Sequence, residues 1–264
     1  MLKQFIRYNR KAARLLESRF PKTFGWPSFV DELKAAVSSD IEASSPSVVL
    51  EVGGIDRPLL EKSGAYDYVG LDIEEQPACH RVYDRFIVQS IEAPVPVSAD
   101  LILSMTLMEH VPDNAAAVRS MFGALREGGS THHYIPSRWH PYSIATRILS
   151  PGMQKRLIRH LRPEAVEVTG YRAFFNRCSP ASMRALFEEA GFVDVKVTSY
   201  YRASDYFSFF LPAYLAIVAF ENLCNALSLQ TLASGFIISA RKPVAAPMAR
   251  EPARSESRPA EIAA

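Results

Sequence analysis

Two hydrophobic periods divide the chain. Over residues 1–45 apolar positions recur at helical spacing. Leu2, Phe5, Ile6, Ala12, Ala13, Leu16 and Phe20 fall near one face, and Lys3, Arg7, Arg10, Lys11 and Arg14 cover much of the rest. "PSFVDELKAAVSSDIEA" predicts a second helix. Short apolar runs then alternate with helical stretches. Strands are expected at 47–52, 66–73, 84–90, 99–105 and 130–136, with a helix starting near Pro58 and another over 114–129, stopped by two glycines. That alternation predicts a parallel sheet covered by helices.

Past the fifth strand the pattern changes. Residues 137–178 predict a mostly helical, basic insertion. "SPASMRALFEEAGF" predicts a helix with Ser179 as N-cap, Pro180 at the first helical position and Gly191 as its stop. Strands follow at 193–201 and 236–241, separated by an apolar helical segment over 202–230. The expected organisation is a helical segment (1–45), an α/β domain (46–242) and a tail (243–264) rich in Pro, Ala, Arg and Glu that should be disordered.

Composition narrows the classes. A hydrophobic fraction of 48% in 264 residues suffices for a sizeable core, and a net charge of +2 is too mild to point to nucleic acid. Cys79, Cys178 and Cys224 show no paired or metal-like spacing. They predict packed, reduced thiols, a cytoplasmic setting and no metal site. The N-terminus lacks the uninterrupted apolar region of a secretory signal. "YFSFFLPAYLAIVAF" (206–220) is uncharged but contains Pro212 and falls short of the roughly 20 residues a spanning helix needs. Its first reading is a buried helix. Peripheral membrane contact is the alternative, strengthened by the basic amphipathic N-terminus.

Candidate chemistry follows from topology, because an open parallel sheet binds ligands beyond the carboxyl ends of its strands. Those ends hold Glu51, Gly53 and Gly54; Asp72 and Ile73; Gln89, Ser90 and Ile91; Ser104, Met105 and on to His110; and Pro136 to His140. Glycine after the first strand allows a sharp turn and close backbone approach. An acidic residue ending the second can accept bonds from both ribose hydroxyls. Both features suit an adenosyl or a dinucleotide cofactor. A dinucleotide, however, wants G-x-G-x-x-G, and here Ile55 and Arg57 stand at the later glycine positions. A nicotinamide oxidoreductase is therefore the weaker reading. His132 and His133 lie inside a strand, where one should face the core and one a helix layer.

Four motifs occur in order between about residues 48 and 136: "VLEVGG", "YVGLDI", "ADLILSMTLMEHVPD" and "ALREGGSTHHYIP". Together they resemble the class I S-adenosylmethionine-dependent methyltransferases, of the small-molecule type related to ubiquinone-biosynthesis enzymes, with flanks like those of some bacterial members. The resemblance implies a Rossmann-like, doubly wound α/β fold with a seven-stranded, mostly parallel sheet, helices on both faces and an antiparallel last strand. It implies S-adenosyl-L-methionine as cofactor. Glu51, Gly53, Gly54, Asp72, Ile73, Gln89, Ser90, Ile91, Ser104 and Met105 would bind it, with Asp72 on the ribose. If the acceptor needs a base, His110 is the first candidate and His140 the second. Two positions depart from the family pattern. Ile55 is tolerable only at negative φ with its side chain turned away. Gln89 stands where many members carry an acidic residue for the adenine amino group. The expected partner is a small-molecule or lipid-linked acceptor, with no nucleic acid and the oligomeric state open. A non-catalytic module that binds a partner or a membrane surface is the second reading.

Overall fold

The computed structural model describes residues 1–25, 27–161 and 171–245. Among these residues seven strands form: β1 (Val48–Val52), β2 (Asp67–Asp72), β3 (Arg85–Val88), β4 (Ala99–Met105), β5 (Leu125–Pro136), β6 (Val193–Tyr200) and β7 (Gly235–Arg241). They make one sheet in the order β3-β2-β1-β4-β5-β7-β6. Neighbours among β1 to β5 pair in parallel, and β7 runs antiparallel to both β5 and β6. This is the expected Rossmann-like fold. Its order reverses between β1 and β4, the kind of crevice where such sheets bind ligands.

The inner strands read as continuous apolar runs because both faces are buried. Leu50, Val69, Ile102, Ile135 and Phe236 face a layer completed by α5 (Asn114–Ala124) and α8 (Pro180–Glu189). Val49, Tyr68, Leu101, Leu103, Tyr134 and Ile237 face the other layer, which takes Leu33 and Val37 from α3 (Phe29–Ser44). Ser28 caps α3 by accepting the Asp31 N–H at 3.3 Å, and Asp31 and Glu32 sit favourably in its first turn. So α3, the end of the N-terminal helical segment, covers the sheet itself. By contrast α1 (Leu2–Arg19) and α2 (Pro21–Phe24) pack against α9 (Leu211–Ala226), through Ala13, Tyr214 and Val218.

Several local expectations change. No helix forms between β1 and β2. Both carboxylate oxygens of Glu51 take the Leu59 N–H at 3.0 Å, so an amide beside Pro58 is spent on the strand behind it. Helix α5 stops at Ala124, ahead of Gly128 and Gly129, because Leu125 already pairs with Ala99 and starts β5. The insertion carries α6 (Pro141–Ile148) and α7 (Pro151–Leu161). Residues 162–170 of the insertion, and the tail from 246 on, lie outside the described residues. Ser179 does precede α8, with Pro180 at its start, but its hydroxyl donates to Ser182 Oγ at 3.0 Å instead of capping a backbone amide. Helix α9 is not fully buried. Tyr214, Val218, Glu221 and Cys224 face inward, while Leu215 and Leu223 are exposed.

His132 and His133 face opposite layers, as strand alternation requires. His133 is buried with Nδ1 2.7 Å from Ser104 Oγ. His132 links three elements. Its Nε2 lies 2.9 Å from Asp40 Oδ2 on α3, and its Nδ1 lies 2.9 Å from Ser239 Oγ on β7. That hydrogen bond to His132, opposed by burial, lowers the Asp40 pKa to about 2. A depressed carboxylate stabilises the fold above its unfolded pKa and ceases to do so as pH falls through its folded pKa. Asp40→Asn should therefore cost roughly 1–2 kcal/mol at pH 7, after allowance for screening, and almost nothing near pH 2. Urea unfolding of both proteins from pH 7 down to pH 2 checks this, and a constant difference across that range would refute it.

Candidate active site

The turn after β1 is built around one buried carboxylate. Glu51 accepts the Leu59 N–H and the Tyr68 hydroxyl, and the Tyr83 hydroxyl points at the same group. Burial pushes its pKa up to about 7, although these bonds oppose the rise. Gly53 adopts φ +85°, and a Cβ there would lie 2.8 Å from the Leu107 side chain. At Gly54 a Cβ would collide with the Tyr83 hydroxyl and lie 2.9 Å from Glu51 Oε1. Glycine is thus required at both positions.

Ile55 overturns half of its expectation. Its φ is +48°, in the left-handed region that costs a non-glycine residue about 1–2 kcal/mol. Its side chain does turn away, packing into the layer beneath α3 with Leu33, Val37 and Leu59. Burial of that side chain offsets the backbone strain.

Beyond the turn lies a cavity of about 600 Å³. Glu51, Gly53 and Gly54 form one side, and Met105, Glu109 and His110 after β4 form another. Its outer walls come from α6, α7, residues 171–175 and the turn near Phe207, with Arg10 of α1 reaching in. The structure thus brings Glu51, Gly53, Gly54, Met105 and His110 together.

Other candidates lie elsewhere. Asp72 ends β2 partly exposed, and its Oδ1 accepts the Glu74 N–H at 3.2 Å. Gln89 sits beside it, its own N–H donating to the Asp72 carbonyl at 2.8 Å. The Gln89 side-chain amide donates to the carbonyls of Ala93 and Pro94. Ile73 is exposed, and the Ser90 hydroxyl donates to Glu92. None of these lines the cavity. They form a separate rim at the ends of β2 and β3. Two further candidates are core residues: Ile91 packs in the layer under α5, and Ser104 is buried against His133.

His140 is also placed differently. It is buried at the N-cap of α6, where Nδ1 accepts the Tyr142 N–H at 3.2 Å, and its Nε2 lies 3.2 Å from Glu221 Oε1 of α9. It does not line the cavity. His140 thus links α6 to α9, away from the cavity wall that carries His110.

His110 is half-buried on the cavity wall. Its Nδ1 lies 3.0 Å from the Arg172 carbonyl, which accepts a proton and can offer none. Nδ1 is therefore the protonated nitrogen, and Nε2 keeps its lone pair. Burial lowers the His110 pKa and keeps the ring neutral at pH 7. Beside it, Glu109 is buried, with no partner for Oε2 among the described residues, and burial raises its pKa to about 8. Its Oε1 is 3.7 Å from His110 Nε2, beyond hydrogen-bond reach. Glu109 lies within the fourth-strand motif, which by itself gives it no role. The signal available was its place next to His110, in the turn Met108–His110 that follows β4.

A family model described as a methyltransferase domain matches residues 10–197, and the chain belongs to that family. It is a methyltransferase, and S-adenosylmethionine is the methyl donor of the family. The nicotinamide reading is thereby set aside. No curated protein matches the sequence. Among solved structures, the chain is similar to a SAM dependent methyltransferase from Archaeoglobus fulgidus, with 14% identity, 86% of this chain and 98% of that one covered, and a TM-score of 0.49. It is also similar to the N-methyltransferase NodS from Bradyrhizobium japonicum in complex with S-adenosyl-L-homocysteine, with 14% identity, coverage of 81% and 86%, and a TM-score of 0.47. A third is phosphoethanolamine N-methyltransferase 2 from Haemonchus contortus in complex with S-adenosyl-L-methionine, with 14% identity, 92% of this chain covered and a TM-score of 0.45. This chain spans 60% of the length of that protein.

The residues at the β1 turn fit such a cofactor: Gly53 and Gly54 line the cavity, and the tight packing of Tyr83 and Glu51 behind Gly54 fixes the turn that brings its backbone there. Gly54→Ala should cost about 1–3 kcal/mol of stability through overpacking against Tyr83, and weaken S-adenosylhomocysteine binding at least about tenfold. Thermal unfolding and calorimetric titration read the two effects separately. Wild-type affinity in a folded Gly54→Ala protein would contradict the close backbone approach.

Proposed function

We propose that this methyltransferase acts on an amphipathic acceptor with a largely apolar body, whose nucleophilic oxygen or nitrogen meets Glu109 and His110. One observation carries the reading: a single cavity runs from the Gly53–Gly54 turn to those two side chains between largely apolar walls. Asp72 would hold the ribose hydroxyls, and Gln89 would offer its amide oxygen to the adenine amino group. Bound S-adenosylmethionine supplies a methyl group already made electrophilic by the sulfonium, so the protein's tasks are alignment and exclusion of water.

His110 Nε2 is the proton acceptor in this account. The acceptor's proton would pass to Nε2 as its nucleophilic atom takes the methyl group and the sulfur–methyl bond breaks to leave S-adenosylhomocysteine, and the imidazolium would keep its bond to the Arg172 carbonyl. Glu109, neutral at pH 7 because of its burial, donates a hydrogen bond to the acceptor and orients it.

Asp72→Ala should weaken S-adenosylhomocysteine binding by about tenfold or more, the value of one lost bidentate contact. Unchanged affinity would remove the ribose assignment. The lowered His110 pKa places the acidic limb of the kcat profile below the ordinary histidine range, with activity rising as pH rises through it. His110→Ala should abolish that limb and cut kcat by about a hundredfold while leaving cofactor affinity intact. Full activity of His110→Ala would eliminate it as the base. Failure of the wild-type chain to bind S-adenosylmethionine or S-adenosylhomocysteine at millimolar concentration would overturn the whole reading.

A further inference from the structure

Helix α1 has three faces, of which the fold covers one. Ile6 and Ala13 are its buried residues. Phe5, Tyr8, Ala12 and Leu15 fall on a second stripe by helical spacing, and Leu15 is 66% exposed. Lys3, Arg7, Lys11 and Arg14 form a third stripe beside it, all exposed. The apolar moment of this helix is therefore only half used by the protein.

Helix α9 continues the uncovered surface. Pro212, Leu215, Ala216, Ala219 and Leu223 repeat along its outer side, and Leu223 is 58% exposed. The one charge in the helix, Glu221, is buried. Phe5 and Phe210 join the two helices, with ring centroids 6.4 Å apart. Helix α7 adjoins as well, since the Arg10 guanidinium donates to the Leu161 carbonyl. It exposes Met153 and Leu157 among Lys155, Arg156 and Arg159. Among the described residues of these three helices no acidic side chain is exposed. Glu17 is partly covered and bonded to Arg202 and Tyr214.

We propose that the outer faces of α1, α7 and α9 dock the protein on the surface of an anionic lipid bilayer. Exposed leucine and phenylalanine suit the acyl boundary, and the basic stripe suits the anionic headgroups beside it. Nucleic acid would be served by the basic stripe alone and has no use for an uncharged leucine face. No described helix is long and apolar enough to cross a membrane, so the contact is peripheral. The surface is distinct from the residues of methyl transfer, but it borders them. Arg10, Leu157 and Phe209 of the same region also wall the cavity. An amphipathic acceptor held in the bilayer would then reach the cavity without crossing water.

The test is flotation of the full chain with vesicles of phosphatidylcholine alone, or of equal parts phosphatidylcholine and phosphatidylglycerol. Binding should be at least about tenfold stronger to the anionic vesicles. Lys11→Glu with Arg14→Glu should lose that margin, and Leu215→Ser with Leu223→Ser should weaken binding to both vesicle types several-fold. Neither pair touches the cavity, so both should keep wild-type unfolding and S-adenosylhomocysteine affinity, which separates this proposal from the reading of the reaction. Equal binding to the two vesicle types would overturn it. So would full binding by either folded variant, or a dimer in sedimentation that the same substitutions dissociate.

Discussion

Glu51 is the constraint on which the ligand-facing edge of the sheet depends. A carboxylate at the end of a central strand, beneath a helix layer, carries a desolvation cost that must be met locally. The Leu59 N–H and the Tyr68 hydroxyl meet part of it, and they also decide the course of the chain. Leu59 is drawn back onto β1, so the segment to β2 turns tightly and forms no helix. Gly54 is squeezed between that carboxylate and Tyr83, and Ile55 is forced into a left-handed backbone. Sequence, strain and cavity shape at this edge share one cause.

The site has a sharp division of labour as a result. At the β1 turn the contribution is backbone, shaped by absent side chains. After β4 it is titratable chemistry, with Glu109 and His110 moved by burial in opposite directions, one towards the neutral acid and one towards the neutral base. Both then enter the cavity uncharged at neutral pH.

Much of this was legible in the sequence and some was not, for identifiable reasons. Strand runs were readable because both faces of β1, β4 and β5 are buried, and the alternation with helices gave the sheet. Motif order gave the family. The missing helix after β1 was not legible, because Pro58 is an ordinary first helical residue and nothing local reveals that Leu59 bonds back to Glu51. His140 looked like a site residue because it follows a strand end. Its partner Glu221 lies far along the chain, and only the packing of α6 on α9 joins them. Helix α9 is hard to read for a different reason. An uncharged helix has no polar face to mark its outer side, so pattern alone cannot tell a covered stripe from a bare one.

The placement of β7 has a consequence for how the protein is made. It is the last of the described strands in sequence but lies inside the sheet, between β5 and β6. Until it leaves the ribosome, β5 has an open edge and β6 has no strand to pair with. Until then the nascent chain carries that uncovered edge with α9 already synthesised. Biogenesis of this protein is a race between the arrival of β7 and the capture of that edge by another chain.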